Sequence, residues 1–123
     1  MYEIGVTRRF SAAHRLRNYN GKCENLHGHN YKVEIAVRGD RLTDGLLMDF
    51  ALLKKRIDAV IGGLDHTYLN EVEPFTKVEP SAENIAEYLY HALSSQLTGG
   101  VALSHVRVWE SDDNWAIYTK DDR

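Results

Sequence analysis

The sequence predicts an α+β fold in which two strands, two helices and two further strands follow one another as ββααββ. Alternation of apolar and polar residues at both ends of the chain indicates strands, and helical spacing of apolar residues in the middle indicates helices. We expect the four strands to form one antiparallel sheet with both helices on one face. The 123 residues suit one hydrophobic core, so we expect residues 1–123 to form a single domain.

The first two predicted strands share a pattern that ends in histidine. In residues 2–14 the even positions are apolar except Arg8, and the run finishes at His14. The second strand presents one face made by every other residue: His27, His29, Tyr31, Val33, Ile35 and Val37. Antiparallel pairing across the loop of residues 16–26 would place His14 beside His27 and His29, at one end of one sheet face.

The middle of the chain predicts the helices. Asp49 is a candidate cap for a helix that ends at Gly62-Gly63, and its inner side is Phe50, Leu53, Ile57, Val60 and Ile61. A second helix begins near Ser81 and is closed by Gly99-Gly100, with Ile85, Leu89, Ala92 and Leu93 inside. The last two strands are predicted at residues 104–111 and 115–120.

Composition excludes several classes of function. Hydrophobic residues make up 43% and charged residues 27%, which is ordinary for a globular protein. The net charge of −3 lacks the basic footprint of a nucleic-acid-binding protein. No segment is suited to a signal peptide or to crossing a bilayer. A single cysteine excludes an intrachain disulfide and favours a reducing compartment, so we expect a cytoplasmic protein.

The three in-phase histidines predict a zinc site. A lone histidine is usually a surface or hydrogen-bonded residue, but His14, His27 and His29 all continue the apolar face of their strands. Three histidine ligands leave zinc one open position, which is typical of a catalytic site. Cys23 lies in a polar loop beside Lys22, which would favour a reactive thiolate. It could instead be a small buried residue, or a fourth ligand that closes the site.

Two further places carry candidate site residues. Asp65 and His66 are either a polar loop pair or a carboxylate that orients a proton-shuttling imidazole. Glu110 ends a strand face that begins with Val106 and Val108, and a charge so placed requires a partner. That partner is an arginine, a helix terminus, or a ligand with two parallel N–H donors, such as a 2-amino-4-oxopyrimidine ring.

These residues resemble the 6-pyruvoyl-tetrahydropterin synthase superfamily over nearly the whole chain. The resemblance is carried by the Cys-x3-His-Gly-His motif at 23–29, by Phe-Ser-Ala-Ala before His14, and by residues 48–50, 64–70, 80–84 and 108–110. The three-residue gap between Cys23 and His27 resembles the bacterial 6-carboxy-5,6,7,8-tetrahydropterin synthase branch. The pyruvoyl-forming branch typically has a longer gap.

The resemblance implies an architecture. It is the tunnelling fold, in which three subunits join their sheets into a barrel and two such trimers stack into a homohexamer. Active sites in the family lie between subunits. Such an assembly would also protect the edges of a small open sheet.

The resemblance also implies a reaction. The substrate would be 7,8-dihydroneopterin triphosphate, and the products would be 6-carboxytetrahydropterin, acetaldehyde and triphosphate, on the route to queuosine and other 7-deazapurines. The implied roles are zinc ligands for His14, His27 and His29, general base for Cys23, proton relay for Asp65 and His66, and pterin anchor for Glu110. Arg15, Arg17 and Lys22 are candidates to meet the triphosphate.

Two alternatives remain open from the sequence. One is the pyruvoyl-forming relative, which shares the early chemistry and retains the three-carbon side chain. The other is a zinc-stabilised binding module without turnover, in which Cys23 coordinates the ion and chelation unfolds the chain.

Overall fold

A computed structural model describes residues 1–18, 21 and 25–120. Its elements, in chain order, are β1 (Tyr2–His14), β2 (His27–Gly39), α1 (Phe50–Ile61), β3 (Thr67–Tyr68), a 3₁₀ turn (Leu69–Glu71), α2 (Ala82–Ser94), β4 (Val101–Trp109) and β5 (Trp115–Tyr118). The strands form one sheet in the order β3-β1-β2-β4-β5. The α+β prediction is confirmed.

The long β1–β2 ladder has the predicted antiparallel pairing. His14 lies opposite His27, Ala12 opposite His29, and Phe10 opposite Tyr31. The Phe10 and Tyr31 rings stack with centroids 4.9 Å apart. The three histidines therefore come together at one end of one sheet face, because the side-chain period of both strands keeps them in phase with the core.

Arg8, the exception in the β1 pattern, reaches the helix layer. Its Nε donates to Oδ1 of Asp58 in α1 at 2.9 Å, and Nη2 donates to Oδ2 at 3.2 Å. An in-phase charge is tolerated there because the guanidinium meets a carboxylate with two parallel hydrogen bonds.

Both helices pack on the same face of the sheet. The shared core includes Val6, Phe10, Tyr31, Val33, Ile35, Leu53, Ile57, Ile85, Leu89, Val106 and Val108. The opposite side, which we call the helix-free face, carries the out-of-phase side chains, among them Ser11, Asn30, Lys32, Glu34 and Arg107. The histidines at the end of β1 and the start of β2 thus lie at the edge of the core.

Both helices begin after the capping residues that the sequence predicts, but one residue predicted to face inward is exposed. Asp49 caps α1 by accepting from Ala51 N at 2.9 Å, and Ser81 caps α2 by accepting from Asn84 N at 3.2 Å. Phe50, the first residue of α1, is 46% exposed rather than inward.

The predicted glycine stop of the second helix is wrong. α2 ends at Ser94, and Gly99 and Gly100 instead form a turn with φ of 75° and 84° that leads into β4. Positive φ values of this kind suit glycine, so the pair marks the start of a strand rather than the end of a helix.

The sheet has five strands rather than the predicted four. β3 runs parallel to β1, with Ala12 opposite Thr67 and Ala13 opposite Tyr68. Two residues are too short to produce an alternation pattern, so this strand leaves no signal in the sequence. Its effect is to attach the segment between the helices to the outer edge of β1.

The C-terminal hairpin differs slightly from its predicted bounds. β4 begins at Val101 and ends at Trp109, so Glu110 follows the strand and its N donates to Asn114 O at 3.0 Å. The register against β2 shifts between Ala36 and Val37. This bulge allows Leu103 and Val106 both to face the core although they are three residues apart.

In the described part of the chain, no helix combines the length and the apolar character needed to cross a membrane.

Candidate active site

Three histidines converge at the end of the β1–β2 ladder. One nitrogen from each of His14, His27 and His29 lies within 4.8 Å of the others. The ring centroids are 4.6 to 5.1 Å apart, with the rings roughly perpendicular to one another. These three residues could hold a metal ion.

Backbone carbonyls orient two of the rings. Nδ1 of His14 lies 2.7 Å from Pro80 O, and Nδ1 of His27 lies 2.7 Å from Asn25 O. Because a carbonyl oxygen only accepts, each Nδ1 carries the proton and donates it, so both Nε2 atoms keep a lone pair. Those two Nε2 atoms are 3.0 Å apart. The two facing lone pairs repel each other, and a cation between them would relieve this repulsion because both nitrogens could coordinate it.

The third ring supplies an unpaired nitrogen. Nε2 of His29 is buried and has no hydrogen-bond partner among the described residues. Its nearest charged neighbour is Glu110, whose Oε1 lies 3.5 Å away. A buried polar atom without a partner is costly, and it is expected where a ligand normally completes the site.

Burial favours the neutral form of His14 and His29. Desolvation lowers the pKa of His14, outweighing the hydrogen bond to Pro80 that raises it, and desolvation also lowers the pKa of His29. Neutral imidazole is the form that binds metal ions. Tyr31, whose hydroxyl lies 3.1 Å from Nδ1 of His14, is fully buried, and burial raises its pKa so that it stays protonated.

The donor set fits a divalent transition metal. Nitrogens that share a tetrahedral zinc ion at about 2.0–2.1 Å lie about 3.3 Å apart, close to the 3.0 Å between the Nε2 atoms of His14 and His27. The Nδ1 partners of these rings are the orienting contacts that metal-bound histidines usually have.

Asp65 and His66 form a direct contact. Nδ1 of His66 lies 2.9 Å from Oδ1 of Asp65, which also accepts from Ser11 N at 2.9 Å. The Ser11 hydrogen bond is the main cause that lowers the pKa of Asp65, and the contact with His66 adds to it. His66 adopts a φ of 59°, a conformation unusual outside glycine, and its N donates to Ser11 O at 2.6 Å.

This pair borders a groove that also reaches one of the three histidines. The His66 side chain is 81% exposed, and it lines a groove of about 400 Å³ together with Ser11, Asn30 and His29. Within residues 1–18, 21 and 25–120, no hydrogen bond or ion pair joins Asp65 or His66 to His14, His27 or His29. His66 and His29 therefore line one groove without a direct bond between them.

Glu110 lies beside the histidine cluster. Of the partners that the sequence left open, no arginine forms an ion pair with it among the described residues, and its Oε1 lies 3.5 Å from Nε2 of His29. The carboxylate also lines a groove of about 200 Å³ together with Ala82, Glu83 and Asn114. An acceptor next to both a candidate metal centre and an open groove is placed to hold a ligand that reaches the metal.

Cys23 lies outside the described residues, and its predicted role stays a prediction. Sequence reasoning missed the Pro80 carbonyl and the Tyr31 hydroxyl as partners of His14. Tyr31 was in phase with the histidines, so its proximity could have been inferred. A backbone carbonyl 66 residues away leaves no such signal.

Fold and site together define the class: an α+β domain with a three-histidine centre at the end of its sheet. The family model described as 6-pyruvoyl tetrahydropterin synthase matches residues 3–121, and the chain belongs to this family.

Relatives in the family have different activities. A protein of Archaeoglobus fulgidus, provisionally named 6-carboxy-5,6,7,8-tetrahydropterin synthase, is 39% identical over 92% of this chain and 91% of its own. The human 6-pyruvoyl tetrahydrobiopterin synthase is also 39% identical, over 92% and 89%. The dihydroneopterin monophosphate aldolase of Pyrococcus furiosus is 36% identical over 85% of each chain.

Solved structures share the fold. The 6-pyruvoyl tetrahydropterin synthase of Caenorhabditis elegans superposes with a TM-score of 0.88 at 32% identity, covering 98% of this chain and 96% of that one. The predicted chain fold of the tunnelling-fold family and the family resemblance are confirmed, and the homohexamer stays a prediction.

Proposed function

We propose that this chain is a zinc-dependent 6-carboxy-5,6,7,8-tetrahydropterin synthase that converts 7,8-dihydroneopterin triphosphate and water to 6-carboxytetrahydropterin, acetaldehyde and triphosphate. The metal-dependent chemistry rests on the facing, unprotonated Nε2 atoms of His14 and His27. The choice of branch rests on the three-residue gap between Cys23 and His27. Identity alone leaves the branch open, since relatives with carboxy and pyruvoyl names match equally well.

The cluster of His14, His27 and His29 would hold the zinc ion. When bound, zinc supplies Lewis-acid polarisation of substrate oxygens. The protein prepares the site by keeping the Nδ1 protons of His14 and His27 on backbone carbonyls, which leaves their Nε2 lone pairs free.

Proton transfer is assigned to two groups. Asp65 accepts the Nδ1 proton of His66, so Nε2 of the exposed ring is the atom that takes up or releases a proton. The Cys23 thiolate is proposed as the general base on the other side of the substrate.

Glu110 is proposed to anchor the pterin. Its two carboxylate oxygens can accept from two parallel N–H groups of a 2-amino-4-oxopyrimidine ring, and charge-assisted bidentate hydrogen bonds are strong and directional. Its position beside His29 would hold the ring while the side chain of the substrate extends towards the cluster.

The active site is proposed to form between subunits of a homohexamer. Two observations support this assembly. Among the described residues, the Asp65–His66 pair makes no hydrogen bond or ion pair with the three histidines. β1 pairs with β3 only at Ala12 and Ala13, so most of its outer edge is unpaired there. Unpaired edges are usually covered in natural sheet proteins.

Product analysis tests this proposal. The protein is incubated with 7,8-dihydroneopterin triphosphate with zinc and after chelation, and acetaldehyde, triphosphate and the pterin are measured. Zinc-dependent acetaldehyde and 6-carboxytetrahydropterin are expected. A pyruvoyl pterin with triphosphate but no acetaldehyde would assign the other branch. A two-carbon aldehyde that retains its phosphate would indicate aldol cleavage. If chelation unfolds the chain and no product forms, the protein is a zinc-stabilised module.

A further inference from the structure

Arg17 makes an unusual number of contacts for a residue in the turn after β1. Its backbone N donates to Oε2 of Glu79 at 2.7 Å, and its Nη1 donates to Oε1 at 3.2 Å. Nη1 also reaches Val78 O, and Nη2 reaches both Asn70 O and Phe75 O. The Arg17 side chain is 28% exposed and that of Glu79 29%, so the ion pair is largely shielded. The guanidinium is thereby committed to the protein, which argues against the expected triphosphate contact for Arg17.

These contacts fix the segment that precedes α2. Glu79 is followed by a proline, which restricts Glu79 to extended conformations. On the other side, Nδ2 of Asn84 donates to Glu79 O at 2.9 Å, and Ser81 caps the helix. Pro80 is therefore held from both directions, by the ion pair before it and by the helix N-terminus after it.

The carbonyl of Pro80 is the acceptor that orients His14. His14 is 1% exposed, and the hydrogen bond from its Nδ1 to Pro80 O directs Nε2 towards the other two histidines. If the carbonyl moved away, the Tyr31 hydroxyl at 3.1 Å could donate to Nδ1 instead. Nδ1 would then be unprotonated, and the proton would lie on Nε2, where it blocks coordination.

We infer that the Arg17–Glu79 ion pair is a positioning device for the metal centre: it holds the Pro80 carbonyl so that His14 keeps its proton on Nδ1 and its lone pair on Nε2. This inference rests on the metal site of the proposed function. Arg17 and Glu79 are positioning residues, because they act through Pro80 and His14 and do not touch the cluster.

The chain offers a matched control in the Arg8–Asp58 ion pair. Arg8 of β1 donates two hydrogen bonds to Asp58 of α1, and its Nε lies 2.9 Å from Oδ1. This ion pair involves no atom of the histidine cluster. Loss of either pair should reduce stability, more so for Arg17 because it makes more hydrogen bonds. Only loss of the Arg17–Glu79 pair should alter His14.

The experiment compares Arg17→Gln and Glu79→Gln with Arg8→Gln in the full chain. Zinc affinity is measured by competition with a chromophoric chelator, the His14 tautomer by ¹⁵N NMR of the metal-free protein, and stability by thermal unfolding. We expect the Arg17 and Glu79 variants to lose about 10- to 100-fold in zinc affinity, the usual effect of removing an orienting partner. His14 should show a mixture of tautomers in both, and the Arg8 variant should bind zinc like the wild type.

The inference is overturned if Arg17→Gln and Glu79→Gln retain wild-type zinc affinity and the Nδ1–H tautomer while their melting temperatures fall. If Arg17→Gln does not fold, Glu79→Gln decides, since its amide oxygen can still accept from the backbone N of Arg17. If the wild type binds no zinc, the proposed function fails, and the tautomer measurement still tests the positioning role by itself.

Discussion

The histidine cluster and the Asp65–His66 pair use the same side chain for different chemistry. His14 is 1% exposed and donates its Nδ1 proton to a neutral carbonyl. The side chain of His66 is 81% exposed and contacts a carboxylate. Burial lowers the pKa of His14 although the hydrogen bond to the Pro80 carbonyl raises it, whereas the His66 ring is open to solvent beside the Asp65 carboxylate. The first environment suits a metal ligand and the second a proton carrier.

The largest effect is expected from changing the cluster itself. His27→Ala removes one of the two facing Nε2 atoms, and we expect zinc affinity to fall by more than about 100-fold, beyond the effect of an orienting partner. Metal analysis of purified protein measures it. His91→Ala, at an exposed histidine of α2, is the control and should keep its metal. Full zinc content in His27→Ala would contradict the role of the cluster.

The second test asks where His66 acts. His66→Ala should reduce turnover by about 10²- to 10⁴-fold, the range for a general acid or base, while zinc content stays unchanged. If the pair serves the site of a neighbouring subunit, hexamers reassembled from His66→Ala and His27→Ala chains should recover part of the activity, because some sites then contain both intact groups. Mixed hexamers with no recovered activity would place both groups in one subunit.

A smaller effect is expected at Glu110. Glu110→Gln keeps the shape of the side chain but loses the charge that accepts two N–H groups. Hydrogen bonds to charged groups contribute about 1.5–3 kcal/mol, so pterin binding should weaken by about 10- to 100-fold. Calorimetry with a pterin product measures the affinity, and metal analysis is the control. Lost zinc with unchanged pterin affinity would instead assign Glu110 to the metal through its 3.5 Å contact with His29.

The smallest effect concerns pH and Asp65. The pKa of Asp65 is lowered in the folded state, so its carboxylate stabilises the protein above the pKa of the unfolded chain, near 4. This contribution is lost as pH falls through the lower folded pKa. Wild type should be slightly more stable than Asp65→Asn at pH 7, and the difference should shrink below about pH 4. Denaturant midpoints at both pH values measure it; a constant difference would contradict the assigned cause.

The sequence predicted the histidine cluster because side-chain phase along a strand is local information. His14, His27 and His29 each continue an apolar alternation, and antiparallel pairing of β1 with β2 brings them to the same end of the sheet. The same reasoning could not predict β3, because a strand of two residues has no alternation pattern. Helical spacing predicted an inward Phe50, and it could not show that this side chain is exposed.

The partners that orient the site could not be predicted. Pro80 acts through a main-chain oxygen, Arg17 through carbonyls of a segment about 60 residues away, and Asp65 through the backbone N of Ser11. Such contacts depend on where loops lie in three dimensions. Sequence motifs at 64–70 and 80–84 marked these segments without revealing what they do.

The segment 65–70 also limits how far another chain can extend the sheet. It occupies the rim of β1 from Ser11 to Arg15, through Asp65 and His66 at one end and the Asn70 amide at the other. A strand from a second molecule could pair with the outer edge of β1 only as far as Ser11, next to His66. Residues 65–70 would therefore set the register of the incoming strand and leave the Asp65–His66 pair at the boundary between the two molecules.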